Sequence, residues 1–152
     1  MITVQIEDSA LQQLQQRIAG LGPQVAVEVC NALKPLVYQS LRDIIPKYFA
    51  GSGGSNSTVL TNRTGNLMNS VLQSIQATSD GESLKISIGS DLPYAAIHEY
   101  GGYAGRRPPF KKKDGLRPYL RPRPYLHPAM SDLQQILPGL LEQAIQQVQV
   151  AQ

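Results

Sequence analysis

His98 and Glu99 stand side by side in the segment YAAIHEYGG, residues 94–102, and are the first residue types along the chain to suggest chemistry. Such a pair can supply metal ligands or an acid–base couple. In the zinc-protease helix H-E-x-x-H a second histidine follows four residues later, so both face one ion. Here the fourth residue after His98 is Gly102, and the other histidine is far away at His127. Cys30 has no second thiol to join it, and no serine sits in a G-x-S-x-G elbow. Adjacent helical residues diverge by about 100° and do not face each other. The expectation is therefore no enzyme, no metal and no cofactor. A metal-dependent hydrolase centred on His98 and Glu99 is the reading set aside. The segment reads instead as a structural corner made of Tyr94, Ile97, His98, Glu99, Gly101 and Gly102. Tyr94, Ile97 and Tyr100 would pack the turn down. His98 would be a half-buried imidazole bonded to backbone or to Glu99, and the two glycines would release the chain.

What leaves that corner is cationic. Between positions 106 and 123 lie Arg106, Arg107, Lys111, Lys112, Lys113, Arg117, Arg121 and Arg123 against Asp114, a charge of 8 − 1 = +7. The whole chain carries +3, so the remainder carries 3 − 7 = −4. Tyr119 and Tyr125 interleave with the cations and would serve as anchors. Cations neutralise phosphates and aromatics stack on bases, so a nucleic-acid-binding module is the alternative function. No helix-turn-helix, zinc-finger or RNA-recognition signature accompanies the segment. A proline-stiffened basic arm suits an acidic protein surface equally well. RPYLRP, residues 117–122, is followed at once by RPYLHP, residues 123–128, a tandem repeat too short for a solenoid.

The elements that must position these groups follow from periodicity. Residues 8–20 form a helix with Leu11, Leu14 and Ile18 on one face, capped by Asp8 or Ser9. Gly20, Gly22 and Pro23 separate it from a second helix that runs to about Tyr48. There Val25, Val29, Leu33, Val37 and Leu41 make an apolar stripe, and Pro35 is expected to kink or split it. GSGGSNS, within a loop at 50–58, has no packing side chains and is not a phosphate-binding loop. A turn at Thr64–Asn66 precedes a short helix or strand at Leu67–Met68. A hairpin follows, with one strand from Val71 or Leu72 to Ala77, a turn at Asp80-Gly81, and alternating Leu84, Ile86 and Ile88. Residues 94–101 give a two-turn helix closed by Gly101. Positions 102–128 lack periodicity and read as a projecting basic arm, and a last helix spans roughly Ala129 to Val148, with a kink expected at Pro138. The fold class is α+β: terminal helices packed on a small antiparallel sheet, in a single domain over 1–152. No apolar run reaches the ~20 residues of a membrane span, and MITVQIEDS lacks a secretory pattern. A soluble protein made in a cytoplasm is expected, with Cys30 buried and inert.

Three motifs in order now carry more than any one alone. TGNLMNSV (64–71) precedes ISIGSDLPYAAIHEYGG (86–102), and RPYLHPAM (123–130) leads into the last helix. This series resembles the tail-completion and neck proteins of long-tailed bacteriophages, the minor tail and virion morphogenesis group, over about residues 60–150. That group shows T-G-x-L-x-x-S, Y-A-x-I-H-E-x-G-G and R-P-x-L-x-P-A segments in the same order. The segment between Gly102 and Arg123 is longer here, through the first RPYLRP copy and the lysine run. The resemblance implies a non-enzymatic structural protein of the virion neck or tail, present in the host cytoplasm during assembly. It implies a homo-oligomeric ring, expected as a hexamer, that joins tail to head. Implied partners are copies of itself, head-closure or connector proteins, and tail-terminator or tail-tube proteins. DNA in the channel is a further possible contact for the arm, and a membrane is not. Gln-rich, weakly charged helix faces suit such repeated protein contacts.

Overall fold

The computed structural model describes residues 2–5, 8–51, 59–60, 65–80, 83–103 and 119–150. The longest apolar stripes in the sequence become its two longest helices. Helix α1, Asp8–Ala19, is followed after Gly22 by α2, Pro23–Ile44. Pro23 at the first helical position loses no hydrogen bond. Ala26, Val29, Cys30, Leu33, Val37, Leu41 and Ile44 of α2 are buried as one face. A 3₁₀ turn, Ile45–Phe49, ends this run where Pro46 prevents further α-helix. Helix α3 is Asn66–Ser74, strand β2 is Gln76–Asp80 and strand β3 is Ser83–Ser90. A short helix α4, Ala95–Tyr100, leads to a two-residue strand β4, Gly102–Tyr103. Its partner β5 is Tyr119–Leu120, and α5 spans Leu126–Val150. The first strand, β1, is Ile2–Gln5.

The architecture is α+β. One sheet has the order β1-β3-β2, antiparallel throughout, with Val4 opposite Ile88 and Ala77 opposite Ile86. Alternation buries Leu84, Ile86 and Ile88 on the face toward the helices and leaves Lys85 wet. α2 packs along α5, whose Ala129, Met130, Leu133, Leu137, Leu141 and Ala144 complete the core. Gly89 sits where β1 crosses β3: a Cβ there would lie 2.3 Å from the Ile2 carbonyl oxygen. Ser74 ties α3 to the sheet, its Oγ accepting from the Gly89 N–H at 2.8 Å. Tyr48 donates to Asp132 on α5 at 2.5 Å, and an exposed Arg17–Glu142 pair links α1 to α5.

Several expectations change. Residues 71–74 belong to α3 and not to the first hairpin strand, because Val71 points into the core at helical spacing from Leu67 and Ile75. Pro35 does not split α2, and Pro138 lies inside the unbroken α5. Both prolines are exposed, and the cost of about 3 kcal/mol for an interior proline is outweighed by the buried face opposite. α5 begins at Leu126, earlier than periodicity indicated. β1 was not foreseen at all. Asp80, expected in the hairpin turn with Gly81, is the last residue of β2 and pairs with Ser83, while Gly81 lies outside the described residues. Positions 52–58 of the Gly/Ser loop lie outside the described residues, and Gly51 N–H reaches the Leu60 carbonyl at 2.8 Å across it.

Candidate functional site

The corner is built by α4 and the start of α5. Six residues make too short a helix to stand alone, so α4 must be held by its neighbours. Ala95 and Glu99, four apart, face inward, and both are buried. Gly101 stops the helix, its N–H reaching the Ile97 carbonyl at 2.9 Å with φ at 75°. A Cβ on Gly101 would stand 2.8 Å from Pro122 Cδ and 2.9 Å from Pro122 N. The end of α4 therefore lies directly against residues 120–122.

Glu99 is 3% exposed, and its carboxylate is occupied on both oxygens. Oε2 accepts the backbone N–H of Tyr125 at 2.7 Å and of Leu126 at 2.9 Å. Oε1 accepts the backbone N–H of His127 at 3.0 Å and lies 2.6 Å from His127 Nδ1. Leu126 and His127 carry the first two amides of α5, which have no carbonyl partner inside the helix, and Tyr125 directly precedes them. Glu99 is thus the N-cap of α5, supplied from 27 residues upstream of Leu126. A carboxylate also meets the positive end of the helix dipole there. The main chain adds Arg123 N–H to the His98 carbonyl at 2.8 Å, and the Tyr125 hydroxyl donates to the Ala95 carbonyl at 3.0 Å. YAAIHEYGG and the second RPYLHP copy are one interlocked unit.

The two repeat copies take different roles. Tyr119 of the first is 56% exposed on β5, edge-on to Tyr103 with ring centroids 5.3 Å apart. Tyr125 of the second is 1% exposed and packs on Phe49 at 5.2 Å. Tyr125 was expected as an exposed anchor; its burial corrects that, because its ring fills the core and its hydroxyl is spent on α4. Burial, with the nearby Glu99 carboxylate, pushes its phenol well above the usual tyrosine range. Burial, with Arg123 beside it, lowers the His98 imidazole below its ordinary value.

The remaining expected residues separate. Arg121 and Tyr119 are exposed and Arg123 is half-buried. Arg106, Arg107, Lys111, Lys112, Lys113 and Arg117 lie outside the described residues. Ile97 and His98 are half-buried, but Tyr94 and Tyr100 are exposed at 39% and 59% and do not pack the turn down. They lie on the flanks of α4, edge-on to His98 and His127 respectively. The histidine that meets Glu99 is His127, not His98. One signal pointed there: no Ser, Thr, Asp or Asn precedes α5 in RPYLHP, so that helix lacks a local cap. Among the described residues, no three His, Cys, Asp or Glu side chains gather where they could hold a metal ion. No helix among them is long and apolar enough to cross a membrane.

A protein-family model described as the phage virion morphogenesis family matches residues 31–146. That span runs from within α2 through most of α5 and takes in the whole corner. No curated protein and no solved structure gives a significant match.

Proposed function

The chain belongs to the phage virion morphogenesis family, and from that premise we propose that it is a structural protein of the head–tail junction or upper tail, acting as a ring that completes the tail for joining to the head. The supporting observation is the way both ends of the cationic segment are fastened. β4 and β5 pair through Gly102–Leu120 and Tyr103–Tyr119 at its two ends. Just beyond, Arg123 is bonded to α4 and α5 is capped by Glu99. A segment with +7 charge is thus rooted at a fixed place on an otherwise acidic chain. Fixed roots suit a contact that is repeated identically around a ring. On this reading Arg106, Arg107, Lys111, Lys112, Lys113, Arg117, Arg121 and Arg123, with Tyr119, meet an acidic surface on a neighbouring subunit or an adjoining virion protein. The corner positions this contact and performs no reaction.

The test is complementation of a phage lacking the gene with a variant carrying Lys111→Glu, Lys112→Glu and Lys113→Glu. The expected result is separate accumulation of filled heads and tails, with the purified variant folded as the wild type. Steeply salt-dependent binding of duplex DNA by the wild type, lost in the variant while particles still assemble, would overturn the reading in favour of a nucleic-acid-binding module.

A further inference from the structure

The sheet order leaves β2 at an edge, paired among the described residues with β3 alone. An edge strand presents a row of backbone donors and acceptors to any extended chain. Edges are commonly blunted by charged side chains, lysine above all, or by proline; QATSD, residues 76–80, has no lysine or proline and carries one charge, Asp80. A helix packs on each outer strand, α5 on β1 and α2 on β2. Beside the β2 edge, α2 places Lys34, Pro35, Tyr38, Gln39 and Arg42 along a groove of about 630 Å³ whose other wall is Ile75–Thr78. Spacings of three and four put these α2 residues on one stripe, adjacent to the core stripe.

The stripe is apolar in the middle and cationic at its ends. Tyr38 is 37% exposed, with the Arg42 guanidinium 5.9 Å from its ring centre. Lys34 donates to Asn31 at 3.2 Å, and Gln39 holds Asp43 at 3.3 Å. Among the described residues neither Lys34 nor Arg42 forms an ion pair with a carboxylate. Lengths agree as well: four strand residues span about 13 Å, and α2 rises about 12 Å from Lys34 to Arg42.

We propose that this groove docks an acidic, extended segment of another protein, which joins the sheet as a fourth strand beside β2. Its main chain would pair with Gln76–Ser79 on the side of β2 that faces away from β3. Its inward side chains would cover Pro35 and Tyr38, and its carboxylates would reach Lys34 and Arg42. No residue lining this groove belongs to the cationic segment, so charge reversal at Lys34 and Arg42 and charge reversal at Lys111, Lys112 and Lys113 test the two contacts separately.

The probe is a capped hexapeptide alternating aspartate and valine, added to the full-length ¹⁵N-labelled protein. Expected are shifts of the Ile75–Thr78 amide resonances and slowed hydrogen exchange at alternate residues of Gln76–Asp80. A lysine-for-aspartate peptide, and the acidic peptide N-methylated along its backbone, should each bind at least about tenfold more weakly. Lys34→Glu with Arg42→Glu should weaken the acidic peptide by a similar factor. Three results would each overturn the proposal: unmoved Ile75–Thr78 resonances at millimolar peptide, equal binding of the acidic and lysine peptides, or equal binding of the N-methylated form. Sedimentation showing that this edge is buried between copies of the chain would also overturn it, by naming a different occupant.

Discussion

Replacing Glu99 by alanine strips α5 of its cap and leaves α4 without its main tether. The carboxylate receives three backbone N–H groups, from Tyr125, Leu126 and His127. Tyr125 and Leu126 are buried, so their amides gain no water when the acid is removed. Each buried orphan donor costs about 1–3 kcal/mol. The His127 side chain is about half exposed and its amide can be rehydrated, so it adds little. The expected loss is roughly 3–5 kcal/mol, the range seen when one partner of a buried charged contact is removed. At about 2–4 °C per kcal/mol for a domain of this size, the melting temperature should fall by on the order of 10 °C. Calorimetry or circular dichroism measures the shift. Hydrogen exchange should show protection lost first at the amides of residues 125–127. Glu99→Gln keeps one acceptor but turns an NH₂ toward amide donors, and should fall between alanine and wild type. His127→Ala removes only the exposed ring and should cost less than about 1 kcal/mol. An alanine variant that melts within about 2 °C of wild type, or a His127→Ala cost equal to that of Glu99→Ala, would refute the capping argument.

Three further outcomes follow from the same geometry. Gly101→Ala combines a φ of 75° with a Cβ 2.9 Å from Pro122 N, and should cost about 1–3 kcal/mol by thermal melt. It should also disturb the resonances of residues 120–122. The lowered His98 value means that the unfolded chain takes up its proton first as pH falls. The His98 contribution to stability is therefore intact above about pH 6.5 and erodes below it. Denaturant titrations of wild type and His98→Gln should differ by a constant above that pH, and the difference should move in the variant's favour below it. The Tyr48 phenol is pushed up to about 12 by burial and by Asp132, so the folded state keeps a proton that the unfolded state loses above pH 10. Wild-type stability should fall between about pH 10 and pH 12. Tyr48→Phe, about 1 kcal/mol less stable at neutral pH, should lack that part of the fall.

The elements legible in the sequence are those that local spacing controls. The α2 stripe, the alternation of Leu84, Ile86 and Ile88, and the stop at Gly101 each rest on residues two to four apart. A pattern over so short a range fixes a period and a helix stop with little help from the rest of the chain. The boundary between α3 and β2 was misread because Val71–Ala77 fits either period, and only contact with the core selects helix for its first half. The three motif segments were also enough to place the chain in its family.

Other features needed the folded chain. β1 alternates Ile2, Thr3, Val4 and Gln5, but four residues are too few to fix a strand alone, and it becomes one because β3, more than 80 residues later, offers its edge. RPYLRP and RPYLHP are nearly identical in sequence, yet one tyrosine is on the surface and the other in the core. Propensity cannot separate them, since it depends on which copy lies over Phe49 and under α4. Glu99 looked like half of an active site, and its meaning came from three amides that only folding brings within 3.0 Å. The groove beside β2 likewise exists only where α2 meets the sheet edge. Sequence set the periods, the charge and the family. Tertiary structure decided the pairings, because an orphaned amide or a strand edge is completed by whatever group burial brings to it, however far away along the chain.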